Sequence, residues 1–165
     1  MDKPIVDLAR IVEDCELAIG EVLIKHMPIV ESGDVDPMQA FALERAIEGN
    51  RFGKIITATI RLRWCRFQDY YEDDWHGTWA QDGGVINQQA IHHVDAINWL
   101  LGPIESVNAT ISNRLNHLEA EDTLVGMMKF NNGALGTIEA TTAARPEDFE
   151  ASLSVVGEKG MVLIG

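Results

Sequence analysis

Hydrophobic residues recur along this chain at two different periods, and the change between them divides it. Over residues 5–19, Ile5, Leu8, Ile11, Val12 and Cys15 recur at three- and four-residue intervals, the spacing of one helix face. Asp7 lies in the first turn, where a negative charge suits the helix dipole. Residues 22–24 read as a short buried strand, and 27–37 as a loop rich in glycine, proline and acid. A second helix is predicted over 37–48, capped by Asp36 with Pro37 at its first position and ended by Gly49 and Asn50. Its mixed face of Phe41, Ala42, Arg45 and Ala46 suits packing. From residue 55 the period becomes two: Ile56, Ala58, Ile60 and Leu62 alternate with Thr57, Thr59, Arg61 and Arg63 over 55–64.

Further strands are predicted over 104–114, 122–130, 135–142, 151–156 and 161–164. Asn131-Asn132-Gly133 and residues 157–160 form turns between them. One face of this sheet takes Val107, Ala109, Ile111, Met127 or Met128, and Ile138, while the other carries threonines and serines. Helices can then cover one side and a second subunit the other.

One helical stretch interrupts the strands. Gly83-Gly84 opens it and Gly102-Pro103 closes it, which predicts a single helix of about four turns. Ile86, Ala90, Val94, Ile97 and Leu101 fall on one stripe, and Gln88, His92, Asp95 and Trp99 on the opposite one. The polar stripe reads either as a solvated face or as a cleft wall, in which Asp95 stands close enough to orient the His92 imidazole. His93 projects near the apolar stripe, as a packed histidine that hydrogen-bonds locally. Upstream, residues 64–79 form an aromatic loop with Arg66, Gln68, Tyr70, Trp75, His76 and Trp79 interspersed. Sugars are held by such a mixture, since ring faces stack on aromatics while hydroxyls need polar partners. The same tryptophans could equally pin a long loop to the domain.

Composition narrows the possibilities. A chain of 165 residues with 46% hydrophobic content is one domain's worth and long enough for a sizeable core. Its net charge of -13 argues against nucleic acid or an anionic membrane as partner. The two cysteines, Cys15 in a predicted helix and Cys65 in a predicted strand, have no metal-ligand spacing and do not suggest a disulfide, which favours a cytoplasmic setting. No signal peptide or membrane span is expected, because no apolar stretch approaches about 18 residues. No metal site is expected either: His92 and His93 are adjacent and project apart, unlike helical zinc ligands.

Several motifs in order carry a resemblance to a known family. RFGKI at 51–55, RWCRFQDYY at 63–71, WHGTWAQDGGVINQQAIHHVDAINWLLGPIESV at 75–107, EDTLVGMMKFNNGALGTIEATTAARP at 121–146 and GEKGMVLIG at 157–165 together resemble the substrate-domain core of the Gfo/Idh/MocA oxidoreductases. Among members, the chain is most similar to those acting on sugars or nucleotide sugars. The resemblance implies an α+β fold with a mixed, mostly antiparallel open sheet packed on helices, without a complete Rossmann domain. Residues 1–36 would be a remnant of the end of the dinucleotide-binding domain, and 37–165 the substrate and oligomerisation domain.

The resemblance also implies roles. His92 falls on the family's acid/base histidine, with Ala90 in place of the usual glycine. Lys3 matches the lysine of a Glu-Lys-Pro motif that contacts the substrate hydroxyl and the cofactor, so Lys3 and Pro4 mark the cofactor side, with Asp2 replacing the glutamate. Gln88 stands where many members have aspartate; it can hydrogen-bond a hydroxyl but cannot take its proton. Gln88, Asp95, Trp75, His76, Trp79, Arg66 and Tyr70 make up the expected substrate set, although members often have arginine at the place of His76. The segment HMPIVESGDVDP departs from the family pattern. NAD or NADP serves the parent family, but the chain has no GxGxxG turn before a helix, so by itself it is expected to bind neither.

Three functions are compatible with this reading. The chain is the substrate and oligomerisation domain of an oxidoreductase, truncated at both ends and inactive alone. Alternatively it is a stand-alone sugar-binding or assembly module, or a metal-dependent hydrolase or isomerase built on His92, His93 and Asp95. A sugar-like ligand and a homo-oligomer, dimer or tetramer, are the expected partners.

Overall fold

The computed structural model describes residues 37–165. The expectations for Asp2, Lys3, Pro4, the first helix, the strand at 22–24 and the Asp36 cap lie outside the described residues. Helix α1 (Pro37–Glu48) leads into β1 (Ile55–Arg63), a 3-10 turn (Gln68–Tyr71), the one-turn helix α2 (Val85–Gln88) and helix α3 (Ile91–Leu101). Five strands complete the chain: β2 (Ile104–Ser112), β3 (Thr123–Phe130), β4 (Leu135–Thr141), β5 (Glu150–Gly157) and β6 (Met161–Ile164).

These form one six-stranded open sheet in the order β2-β3-β4-β1-β5-β6. β1 is inserted between β4 and β5, parallel to the first and antiparallel to the second, and the remaining pairs are antiparallel. The fold is therefore the expected α+β arrangement with a mixed, mostly antiparallel sheet. Its pairing register aligns Gly126, Ile138, Ile60, Leu153 and Ile164 in one row across five strands. All five are buried on the side that meets the helices. Burying an Ile or Leu side chain contributes roughly 1.5–3 kcal/mol, so rows of this kind hold the sheet to its helical layer.

Local chemistry sets the ends of α3. Gly102, at φ 83°, takes the positive-φ position that a side chain would disfavour, and its amide bonds Asn98 O at 2.9 Å. Asn132, in the β3–β4 hairpin, donates to the Leu101 carbonyl at 2.9 Å and so satisfies a helix-end acceptor.

Four expectations need correction. The predicted single helix is two: the Ala90 amide reaches back five residues to Val85 O at 2.8 Å, a wide turn that separates α2 from α3. The extra residue rotates α3 by about 100° relative to an unbroken helix, so its buried stripe is His93, Ala96, Ile97, Leu100 and Leu101. Ile56 is exposed, because a register shift between Ile55 and Thr57 places it in a bulge. Val107 and Ile111 lie in register with buried Met128 and Leu124, yet remain 61% and 49% exposed at the edge of the sheet. Arg45 does not pack with Phe41, Ala42 and Ala46 but is exposed and bonds Glu48 at 3.3 Å.

Candidate functional site

Tyr70, Trp75, His76, Arg66 and Gln88 converge. The His76 ring lies with its centroid 3.6 Å from that of Trp75 and 4.1 Å from that of Tyr70, and Tyr70 meets Tyr71 edge-on at 5.0 Å. The Arg66 guanidinium sits 5.1 Å from the Trp64 ring and 5.6 Å from the Tyr70 ring, within cation–π range. Gln88, on α2, donates its amide to the Tyr70 hydroxyl at 3.0 Å. Burial, and then the charge of Asp82, raise the Tyr70 phenol above its ordinary range, and burial raises Tyr71, whose hydroxyl pairs with that of Thr142 at 2.7 Å. Both phenols therefore keep their protons at neutral pH.

Two brackets hold this row, and although Gln68 is legible in the sequence as a polar residue of the loop, neither pairing is. Gln68 clasps His117, accepting from its amide at 2.7 Å and donating to its carbonyl at 3.0 Å, which fixes the 3-10 turn to the β2–β3 loop. That loop is gathered by Asp122, whose carboxylate accepts from the amides of Arg114, Leu115 and Asn116 at 2.8–2.9 Å and from the Thr123 hydroxyl at 2.9 Å. Burial works to raise the Asp122 carboxyl, but these donors outweigh it and hold the group below the usual carboxylate range. Its neighbour Glu121 pins the other wall: its carbonyl accepts from Val85 N at 2.9 Å and its Oε1 from Ile86 N at 3.2 Å, both at the start of α2.

Asp73 holds the third support. It accepts from the amides of Trp75 and His76 at 3.1 and 2.8 Å and faces His76 Nδ1 at 2.6 Å. The Asp-x-x-His spacing was the one available sequence signal for this contact, since an aspartate readily bonds backbone amides two and three residues on.

The polar stripe of the central helix divides. His92 is half-buried and Asp95 exposed. Trp99 is not on a cleft wall with them: it packs edge-on against Phe41 of α1 at 5.5 Å and donates to Glu44 at 2.8 Å. His93 is packed as expected, at 1% exposure, but among the described residues its Nδ1 is buried without a partner rather than locally bonded. Burial, with the nearby His92, pushes its pKa down to about 4. Trp79 is 53% exposed and stands outside the stacked row, its amide held by Glu119 at 3.0 Å. Cys65 lies just past β1, in an isolated bridge to Ala143.

Two features of the described residues bear on the needs of a metal and of a pyrophosphate. No three His, Cys, Asp or Glu side chains are grouped to hold an ion there. The Gly83-Gly84 pair precedes only a one-turn helix, and the space where a Gly84 side chain would stand is filled by the Glu121 carboxylate. That close approach is why glycine is needed, and the negative group would repel a pyrophosphate. Also among the described residues, no helix is long and apolar enough to cross a membrane.

A family model described as the GFO/IDH/MocA C-terminal domain matches residues 41–163. The chain is 29% identical over 104 residues to an uncharacterized oxidoreductase of Synechocystis sp., the match covering 56% of this chain and 28% of that protein. It is similar to the crystal structure of the WlbA dehydrogenase of Bordetella pertussis in complex with NADH and UDP-GlcNAcA. The identity is 42% and the TM-score 0.72, over 74% of this chain and 38% of that one. Levoglucosan dehydrogenase, in complex with NADH and levoglucosan, shares the fold at 23% identity and TM-score 0.66, over 73% of this chain and 35% of that one. The chain thus spans well under half the length of each of these proteins. Matched from within α1 to within β6, it belongs to the GFO/IDH/MocA C-terminal domain family.

Proposed function

We propose that this chain is the substrate-side and assembly domain of an NAD-dependent oxidoreductase that acts on a nucleotide-linked sugar. The observation that carries the reading is the row Trp75, His76, Tyr70 and Arg66 with Gln88 bonded to its phenol. Ring faces suit the apolar face of a sugar, while an amide, a phenol and a guanidinium suit hydroxyls and phosphate oxygens. The 42% identity to a WlbA dehydrogenase crystallised with UDP-GlcNAcA supports a nucleotide sugar over a free one.

In a complete, cytoplasmic enzyme, His92 takes the proton of the reacting hydroxyl, Lys3 polarises its oxygen, and Gln88, Asp95 and the aromatic loop orient the sugar. Residues 1–36 belong to the end of a dinucleotide-binding domain, and NAD or NADP is held there rather than by residues 37–165. The polar and apolar open face of the sheet joins subunits into a dimer or tetramer. A second reading, a stand-alone sugar-binding module, draws on Glu121 filling the space at Gly84.

Calorimetric titration of the chain with UDP-GlcNAcA, UDP and NADH separates these readings from their failure. Saturable binding of the nucleotide sugar, weakened about tenfold by Tyr70→Phe, is expected. No heat at millimolar nucleotide sugar would overturn both. In the complete enzyme, His92→Ala should lower turnover by about 10²–10⁴-fold; normal turnover excludes the assigned proton transfer.

A further inference from the structure

The stacked row contains an imidazole held by a carboxylate, Asp73, that lies between the family-like motifs rather than within one. Asp73 makes three contacts: the Trp75 and His76 amides both bond its Oδ1, and His76 Nδ1 faces its Oδ2 at 2.6 Å. Two amide donors engage one oxygen, so the other is left for the ring alone. Although burial works to raise the Asp73 carboxyl, the donors hold it below the ordinary carboxylate range, and an ionised carboxylate can only accept. The proton between the two groups therefore rides on Nδ1. The neutral ring then has Nε2 as its acceptor, whereas an unrestrained histidine is free to offer either nitrogen.

A compensating flip is opposed by the Asp73 contact. His76 is only 15% exposed, with Trp75 and Tyr70 against its ring, and turning the ring over would break its bond to Asp73. Beside it, the Tyr70 oxygen receives the Gln88 amide proton and so has its own proton to give. A ring acceptor and a phenol donor in the same stacked row match a ligand hydroxyl, which both gives and takes a hydrogen bond. They match an anionic oxygen poorly, because that group has no proton for Nε2.

We infer that Asp73 is a positioning residue that locks His76 as the Nδ1–H tautomer, so that Nε2 accepts a hydrogen bond from a sugar hydroxyl. The inference rests on the nucleotide-sugar reading for its ligand, but not for the tautomer.

The two are tested separately. Histidine ring nitrogens of the full chain are labelled with ¹⁵N, and His76 is assigned by its loss in His76→Gln. At mildly alkaline pH, His76 is expected to carry its proton on Nδ1. Asp73→Asn keeps the oxygen that holds the two amides but turns an NH₂ toward Nδ1, so it should invert the tautomer while the folded spectrum persists. An Nε2–H tautomer in the native chain, or no change in Asp73→Asn, overturns the lock. UDP-GlcNAcA affinity should fall about tenfold in Asp73→Asn, the effect of one misdirected hydrogen bond. Equal affinity with an inverted tautomer overturns the ligand role. Absence of binding by the native chain removes the nucleotide-sugar reading itself, with the tautomer result still deciding the role of Asp73.

Discussion

The two faces of the sheet are made by alternate residues of the same strands, yet they obey different physics. On the helix side, Ala58, Ile60, Leu62, Leu153, Val155 and Ile138 are buried, and their contribution comes from apolar area removed from water. On the other side, Thr59 pairs with Thr137 at 3.0 Å, and Arg63 forks onto Glu139 at 2.7–2.8 Å and reaches Glu150 at 3.0 Å. Between these polar groups Val125, Met127 and Leu135 are 57–63% exposed. Period-two alternation thus identifies two faces but does not say that the polar one is merely wet. Here it is an ordered network interleaved with large apolar side chains, the composition of a surface that can associate.

The sharpest way to break this contrast is to truncate neighbours on opposite faces. Ile60→Ala should cost about 2–5 kcal/mol in urea unfolding, whereas Thr59→Ala should stay within about 0.5 kcal/mol. Similar losses for both would mean that the open face is as tightly coupled to folding as the closed one.

Next in size is a pH effect confined to the helix side. His93 has its pKa lowered from 6.5 to about 4, so the unfolded chain takes up the proton first. Stability should therefore fall as pH drops from about 6.5 to about 4, by about 3 kcal/mol, and then level off for this group. His93→Phe should remove that slope in thermal melts; an unchanged slope assigns it to other groups. Asp122 acts in a lower window, since its carboxyl is depressed below 3.8: its contribution is present above that value and is lost as pH falls beneath it.

Smaller again is the ion pair on the open face. The hydrogen bond with Arg63 lowers the Glu139 carboxyl and raises the guanidinium, but both side chains are about a third exposed, so solvent screens the pair. A double-mutant cycle with Arg63→Ala and Glu139→Ala should give a coupling of about 0.5–1 kcal/mol, weaker at high salt. Coupling of several kcal/mol would indicate that a partner buries the pair.

The smallest effect on folding, and the most informative about assembly, is expected from Met127→Lys. Stability should change by less than about 0.5 kcal/mol, while sedimentation velocity should show a shift toward smaller species if the open face joins subunits. A monomeric native chain would count against the proposed assembly role.

The amino-acid sequence by itself determined the strands among the described residues, both turns, the end of α1 and the closing of α3 at Gly102. These depend on alternation, caps and turn residues within a few positions of one another. It also brought Tyr70, Trp75, His76, Arg66 and Gln88 into one candidate set, because their side-chain chemistry is legible residue by residue. Only the tertiary structure decided how that chemistry is arranged. The wide turn at Ala90 shifts the phase of α3 and gives Trp99 to α1, which no uniform helical period anticipates. Gln68 meets His117 across 49 positions and Gln88 meets Tyr70 across 18. Such contacts arise when the sheet and the β2–β3 loop close around the aromatic segment. Local pattern specifies which residues can form an element, but the proximity of distant side chains is set by packing the elements together.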